Sequence, residues 1–308
     1  MAESADGRGR TAESTADPAR NGVRPRTMPP SWPQRIRALL DGRLTPVRPR
    51  PAATVVLLRD RPGGPQVYLL RRRRSMAFAA GMYAYPGGSV DVRDGEQDLH
   101  RHWAGPDAEA WGERLGCPPA EAQALVCAAV RETFEESGVL LAGAGEDSVL
   151  ADVSGPSWRA DRAALEAHQL SFAEFLDRRG LVLRSDLLAA WARWITPEFE
   201  ERRFDTWFFT AVVPAGQRTA EVPGEADRVV WLRPEEALAE YRRGAYALMP
   251  PQLSTLGELR GYADAAEVTA AAGRRELLPV LGRASLDEEG RISIRWPGHA
   301  ELTMNEGA

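Results

Sequence analysis

The chain has 308 residues and a formal net charge of −5 at pH 7, and 44% of its residues are hydrophobic and 27% charged. These proportions are those of a globular protein with a full hydrophobic core, folded as one large domain or two. A net negative charge argues against a general nucleic-acid or membrane-surface binder, and no apolar run approaches the ~20 residues of a membrane span. We therefore expect neither nucleic acid nor membrane among its partners.

The two cysteines, Cys117 and Cys127, are too few for a disulfide framework, and neither has a Cys or His neighbour at zinc-ligand spacing. The N-terminus lacks the apolar core of a signal peptide. We expect a cytoplasmic protein in which both cysteines are structural.

The first part of the chain predicts a tail, a short helix and a hairpin. Residues 1–30 are rich in Gly, Ser, Ala, Arg and Pro without apolar periodicity, which predicts a disordered tail. A short helix is expected over residues 32–40. Two β-rich runs, 54–59 and 67–72, flank a turn sequence at 61–65 and predict a hairpin.

Four consecutive arginines, residues 71–74, end the second strand of this hairpin. They form either a solvated strand end or a phosphate-binding cluster, since guanidinium groups match the geometry of phosphate oxygens. We take Arg72 and Arg74 as candidate substrate-binding residues.

The stretch 126–140 predicts a helix that stops near Gly138. At about 100° per residue, Glu132, Glu135 and Glu136 share one face of this helix. Acids so placed repel one another, and hard oxygen ligands suit Mg²⁺, Mn²⁺ or Ca²⁺ better than zinc. The acidic face is therefore either a solvated surface or a metal site.

The sequence RETFEESGV at residues 131–139, with Pro86–Gly87–Gly88 upstream, resembles the signature of the Nudix hydrolases. That signature reads G, five residues, E, seven residues, then R-E-U-x-E-E-x-G-U, where U is aliphatic. In this chain Asp94 stands where the signature has its first Glu, and thirty-six residues separate Asp94 from Arg131 in place of seven. The first half of the signature is therefore altered by a long insertion.

The resemblance implies an α/β fold, a Nudix-type α/β/α sandwich with a mixed β-sheet and a helical insertion within the signature. We expect the Nudix domain at 50–272 and a C-terminal extension at 273–308. The insertion, at about 95–119, is expected to be a surface helix with Trp103 and Trp111 that covers part of the site.

Further downstream, three segments resemble one branch of the family, the motif-19 hydrolases that act on coenzyme A and acyl-CoA. They are Trp194–Ile195–Thr196–Pro197, Arg202–Arg203–Phe204–Asp205–Thr206 and Pro250–Pro251–Gln252.

The resemblance implies a metal site for Mg²⁺ (or Mn²⁺) on the signature helix. Its expected ligands are the carboxylates of Glu132, Glu135 and Glu136, the backbone carbonyl of Gly88 and a later acidic residue, for which Glu225 is the candidate.

The resemblance also implies catalytic roles for Glu132, Glu136 and Arg131. Either glutamate is expected to accept a proton, and Arg131 is expected to hold a glutamate in place. Asp94 is a candidate replacement for the missing signature Glu as the salt-bridge partner of Arg131.

Substrate contacts are expected at Gly87 and Gly88, where the missing side chains let the backbone approach a diphosphate. Arg202 and Arg203 are interpreted either as ligands for nucleotide phosphates or as an exposed turn. The aromatic run 207–209 is expected in the core, and the four histidines are expected on the surface.

These features predict hydrolysis of the diphosphate bond of CoA or acyl-CoA, giving 3′,5′-ADP and (acyl)phosphopantetheine. NADH, ADP-ribose and dinucleoside polyphosphates are alternative substrates. A catalytically silent module that senses a nucleotide is the alternative from another class. In each case the expected partner is a small-molecule nucleotide.

Overall fold

The structure, a computed structural model, describes residues 29–73, 80–220, 226–296 and 298–305. Its helices are α1 (Trp32–Leu40), α2 (Ala108–Leu115), α3 (Pro119–Ser137), α4 (Pro156–Glu166), α5 (Phe172–Arg179), α6 (Pro234–Arg242), α7 (Pro250–Leu259) and α8 (Ala265–Ala272). The predicted N-terminal tail, apart from its last two residues, lies outside the described residues.

The strands of the first half are β1 (Arg50–Arg61), β2 (Gly64–Arg72), β3 (Tyr83–Ala84), β4 (Gly87–Ser89), β5 (Trp103–Ala104) and β6 (Ala142–Gly143). Those of the second half are β7 (Val182–Arg184), β8 (Ala189–Ile195), β9 (Phe204–Val212), β10 (Ala226–Leu232), β11 (Pro279–Leu281), β12 (Arg283–Leu286), β13 (Ile292–Trp296) and β14 (His299–Asn305).

The main sheet has the strand order β10-β2-β1-β9-β8-β11, with β3 paired to β2 and β4 paired to β1. Strand β1 runs antiparallel to β2, as the predicted hairpin requires, and parallel to β9. The predicted mixed sheet is therefore confirmed. Two smaller sheets accompany it, with the orders β5-β7-β6 and β12-β13-β14.

Strand β1 explains why the sheet is covered on both faces. Ala53, Val55 and Leu57 belong to one hydrophobic core, whereas Val56 and Leu58 belong to a second. Successive side chains of a strand point to opposite faces, and a strand buried on both faces reads as a continuous apolar run. Helices α2 to α5 contribute to the first core, and α1 and α6 to α8 to the second. The predicted α/β/α sandwich is confirmed.

Helix α3 carries the acidic signature and packs on the first face of the sheet. It begins at Pro119, and proline is well accommodated in the first turn of a helix. It ends at Ser137, and Gly138 follows with φ 73°, a left-handed conformation that glycine adopts easily.

The insertion forms the expected helix, α2, which has an exposed face at Glu109, Ala110 and Glu113. On its inner face, Trp111 is only 5% exposed and packs edge to face on Phe209, with ring centroids 5.8 Å apart. The insertion therefore also contributes to the core. The large apolar area of an indole favours burial in the core over a solvent-facing position.

The C-terminal extension contributes to the main sheet through β11, which pairs in parallel with β8. Strands β12 to β14 form the separate three-stranded sheet. The domain boundary at residue 272 stays a prediction. Within the described ranges, no helix is long and apolar enough to cross a bilayer.

Candidate active site

Strand β4 brings the glycine pair against the signature helix. Its register with β1 places Gly88 opposite Ala53. A Cβ added at Gly87 would lie 2.4 Å from the carbonyl oxygen of Ala53, and one at Gly88 would lie 2.3 Å from Oε1 of Glu132. A side chain at Gly87 would collide with the β1 backbone, and one at Gly88 would displace the Glu132 carboxylate, so the β4 backbone and this carboxylate are in direct proximity.

Arg131 is the centre of the charged cluster on α3, and it is only 6% exposed. Its Nε and Nη2 each donate to one carboxylate oxygen of Asp94, both at 2.9 Å. Its Nη1 donates to Glu132 at 3.0 Å and to Glu135 at 3.2 Å. Burial opposes the charge of Arg131, but its hydrogen bond with Asp94 and the neighbouring carboxylates raise its pKa. The Asp94–Arg131 pair predicted from the sequence is therefore present.

Glu132 and Glu135 compete for this one guanidinium. Burial raises the pKa of each carboxyl to about 7, although Arg131 acts in the opposite direction. The charges of Glu135 and Asp94 add to the rise for Glu132, and those of Asp94 and Glu166 add to the rise for Glu135. One arginine is too little positive charge for three buried carboxylates, so the cluster is suited to a further cation.

Glu136 is 4% exposed and faces the glycine pair. Its Oε2 accepts a hydrogen bond of 2.9 Å from the backbone N–H of Gly87. The side chain is thereby aimed at the same backbone segment that Glu132 touches.

These groups line a cavity of about 340 Å³. Its lining residues are Arg72, Gly87, Gly88, Ser89, Val90, Asp91, Arg131, Glu132, Glu136 and His168. The structure thus brings the predicted Arg72, both glycines and two of the three signature glutamates together. Glu135 is not among the lining residues and lies behind them on Arg131.

The comparison with known protein families agrees with this geometry. The family model described as the NUDT19 Nudix domain matches residues 112–259. Over these residues, slightly less than half of the chain, the protein is similar to the Nudix family. The match begins inside the insertion, so the glycine pair and Asp94 lie upstream of it.

Among its relatives, the chain is 25% identical to the acyl-coenzyme A diphosphatase NUDT19 of Xenopus laevis, over 66% of this chain and 62% of that protein. It is 29% identical to the human protein of that name, over 72% of this chain and 65% of that protein. The chain therefore spans slightly less than two thirds of the length of these two relatives.

A solved structure of a Nudix hydrolase from Alicyclobacillus acidocaldarius matches with a TM-score of 0.60 and 27% identity, covering 73% of this chain and 96% of that one. The Nudix-type fold is thereby confirmed.

Nudix hydrolases generally use divalent metal ions. The cluster offers only oxygen donors, which suits Mg²⁺ or Mn²⁺. Within the described residues no set of three or more His, Cys, Asp and Glu side chains already converges on one metal position, since Glu132 and Glu135 are turned to Arg131. Magnesium commonly takes one or two carboxylates and completes its shell with water and substrate phosphates. The residues present therefore fit a divalent ion bound together with a diphosphate.

Two predicted phosphate-binding residues lie elsewhere. Arg203 is 7% exposed, and its Nε and Nη1 donate to the backbone carbonyls of Thr196 (3.0 Å) and Val47 (2.6 Å). This contradicts the prediction that Arg203 binds phosphate, because its donors hold two chain segments together. Arg202 is exposed and does not line the cavity. Arg74 and Glu225 lie outside the described residues.

Sequence reasoning missed four cavity residues, Ser89, Val90, Asp91 and His168, of which the last two carry titratable side chains. Asp91 caps the turn that carries Asp94. Its position three residues before Asp94 was the feature of the sequence that could have assigned it to the site. His168 follows α4, twenty-nine residues beyond the end of the signature at Val139, and only the tertiary fold brings it to the cavity. His168 is exposed as expected, but His102 is mostly buried, and its Nδ1 lies 3.1 Å from the carbonyl oxygen of Leu181.

Proposed function

We propose that this chain is a divalent-metal-dependent diphosphatase that hydrolyses the diphosphate bond of CoA or acyl-CoA. The observation that carries the proposal is the convergence of Glu132, Glu136 and the glycine pair on one cavity, above an Arg131 fixed by Asp94. The names of the Xenopus and human relatives support the substrate class.

The metal would be Mg²⁺ or Mn²⁺, held by glutamates of α3, the carbonyl of Gly88 and a later acidic residue. The candidate ligands are Glu132, Glu135, Glu136, Gly88 and Glu225. When bound, such an ion neutralises the diphosphate and lowers the pKa of a coordinated water. The carboxylates of Glu132 and Glu136 already lie next to Gly88 and Gly87, so they would hold the ion beside the substrate.

In the proposed reaction, the oxygen of a water molecule bonds to one phosphorus, and the bridging P–O bond breaks. One product is 3′,5′-ADP and the other is (acyl)phosphopantetheine, each with a terminal phosphate. The proton released by the water passes to Glu132 or Glu136, both of which line the cavity.

The remaining charged groups hold the reactants. Arg72, at the end of β2, lines the cavity and is proposed to bind the diphosphate through its guanidinium. Arg131 keeps Glu132 in place, and Asp94 in turn fixes Arg131. A reducing cytoplasm is the proposed location, since Cys117 and Cys127 are both free thiols.

The test is a product assay with purified protein and Mg²⁺, run on CoA, acetyl-CoA, a long-chain acyl-CoA, NADH and ADP-ribose. Mass spectrometry identifies the products, and H₂¹⁸O in the buffer labels the phosphate that was attacked. We expect 3′,5′-ADP and (acyl)phosphopantetheine, with one ¹⁸O atom in one of the two products.

Turnover of NADH or ADP-ribose alone would retain the chemistry and reject CoA as the substrate. No turnover of any compound with Mg²⁺ or Mn²⁺, while nucleotides still bind, would favour the nucleotide sensor.

A further inference from the structure

His168 has an unusual backbone conformation. Its φ is 53°, and among the described residues no other non-glycine residue has a positive φ. It follows α4, where its N–H donates to the carbonyl of Leu165 and the next N–H, of Gln169, donates to that of Ala164, both at 2.8 Å. This pair of hydrogen bonds closes a helix around a left-handed residue, which is usually glycine.

Other helices of the chain follow that preference. Helices α2, α3 and α5 are followed by Gly116, Gly138 and Gly180, each in the left-handed conformation. A side chain in this conformation costs free energy that glycine avoids. After α4, a histidine occupies the position at which glycine would close the helix with less strain. Backbone strain of this kind is often found at binding sites.

The imidazole of His168 is held at one of its two ring nitrogens. Nη2 of Arg93 lies 3.0 Å from Nδ1, and Oδ2 of Asp91 lies 3.3 Å from it. Arg93 also donates to the His168 carbonyl at 3.2 Å. Arginine can only donate, so the shorter contact makes Nδ1 an acceptor. We assign the proton to Nε2, which leaves Nε2–H as a donor beyond this cluster.

His168 is part of the cavity wall. His168 lines the same cavity as Glu132, Glu136 and Arg72. The last turn of α4 is close to the acidic cluster as well, since the charge of Glu166 adds to the rise in the pKa of Glu135. Arg131 is occupied by carboxylates. Arg72 and His168 are two side chains of the lining that can donate a hydrogen bond to a diphosphate in the cavity.

We propose that His168 is a substrate-binding residue, which donates from Nε2–H to an oxygen of the diphosphate. This proposal rests on the proposed function, because it assigns one contact of the same cavity. Asp91 and Arg93 act as positioning residues, since they fix the ring through Nδ1 and the backbone carbonyl.

The decisive variant is His168→Gly, which removes the imidazole and relieves the left-handed strain. Its melting temperature should stay the same or rise by about 2 °C. A hydrogen bond to a charged group accounts for roughly tenfold or more in binding, so kcat/KM for CoA should fall at least tenfold. His168→Asn, which tolerates positive φ without the imidazole, should lose activity similarly.

The matched control is Gly180→His, at the equivalent position after α5. A Cβ at Gly180 meets nothing within 4 Å, and the residue does not line the cavity. This variant should lower the melting temperature by about 2 °C and leave kcat/KM unchanged.

The affinity for ADP with Mn²⁺, measured by calorimetry, provides a readout that does not need turnover. His168→Gly should weaken it about tenfold. If wild-type protein turns over no substrate, the proposed function fails, and this affinity still decides the role of His168. Three results for His168→Gly would overturn the proposal. They are a kcat/KM within twofold of wild type, an ADP affinity within twofold of wild type, and a melting temperature more than 3 °C below that of wild type.

Discussion

Two aspartates on one short turn have opposite environments. The turn Val92–Gly95 is capped by Asp91 and contains Asp94. Asp94 is 1% exposed and pairs with the buried Arg131, whereas the side chain of Asp91 is 24% exposed and pairs with Arg93 at the cavity rim. Both pairs join one carboxylate to one guanidinium, so they differ mainly in their access to water.

That difference determines what each pair does. Arg131 also touches Glu132 and Glu135, so the Asp94 pair compensates charge inside the acidic cluster and fixes the site. The Asp91 pair is screened by solvent, and it holds the adjustable ring of His168. A buried ion pair is costly to break, because the remaining charge is left uncompensated, whereas an exposed one contributes little.

The largest expected effect follows from breaking the buried pair with Asp94→Asn, which keeps the shape and removes the charge. We expect the free energy of unfolding to fall by about 3–5 kcal/mol, as for other buried pairs that lose one partner. Hydrolysis should fall by orders of magnitude, since Arg131 no longer holds Glu132 in place. Urea denaturation and the CoA assay measure the two effects.

Asp94→Glu is the control for this variant, because it restores the residue that the Nudix signature has at this position. It keeps the charge and should retain more activity than Asp94→Asn. A loss below 1 kcal/mol in Asp94→Asn would contradict the role assigned to the buried pair.

Arg203 and Arg72 extend the comparison between buried and cavity-facing groups. Arg203→Ala leaves the carbonyls of Thr196 and Val47 without their donors, and should lower the free energy of unfolding by about 1–3 kcal/mol with KM unchanged.

Arg72→Ala should raise KM for CoA about tenfold and leave the melting temperature unchanged. The opposite assignment of the two effects would show that Arg203 binds phosphate.

The pH dependence of metal binding sharpens the account of the acidic cluster. Burial raises the pKa of Glu132 and Glu135 to about 7, whereas the unfolded chain titrates near 4.5. The metal-free fold therefore loses stability as the pH rises from about 4.5 to 7, because the unfolded chain releases its protons first.

A divalent ion needs the ionised carboxylates and competes with these protons. The rise in melting temperature caused by Mg²⁺ should therefore be near zero at pH 5 and largest above pH 7, as differential scanning fluorimetry would detect. An equal rise at both pH values would mean that the ion binds elsewhere.

The smallest effect is expected when the half-buried pair of Asp91 and Arg93 is broken with Asp91→Asn, which keeps the cap of the turn. Its hydrogen bond with Arg93 lowers the pKa of Asp91 to about 2, so this pair stays charged at every pH above about 4. We expect a loss of stability below about 1 kcal/mol. A loss comparable with that of Asp94→Asn would remove the distinction between the two aspartates.

The sequence was sufficient for the parts of the site that depend on local spacing. The helical positions of Arg131, Glu132 and Glu136 follow from the period of the helix, and Asp94 could be matched to Arg131 by counting from Gly88. The hairpin of β1 and β2 followed from two β-rich runs on either side of a turn sequence.

The parts of the fold and of the site that the sequence did not predict depend on how distant segments pack together. Arg72 and Arg203 both occur in arginine-rich runs, and only the fold places one in the cavity and the other under a loop. Trp111 gave no local sign that the insertion would contribute to the core. His168 reaches the cavity because α4 packs beside α3, which no spacing in the sequence encodes.

The most direct test of the central claim compares wild-type protein with Glu136→Gln. Glu136 lines the cavity and accepts a hydrogen bond from Gly87, and the amide keeps the shape of the side chain while it removes the charge. With Mg²⁺ and CoA, we predict a fall in kcat of at least about 1,000-fold, with an unchanged melting temperature and persistent ADP binding. A variant that retains activity within tenfold of wild type would contradict the assignment of the active site to this cluster.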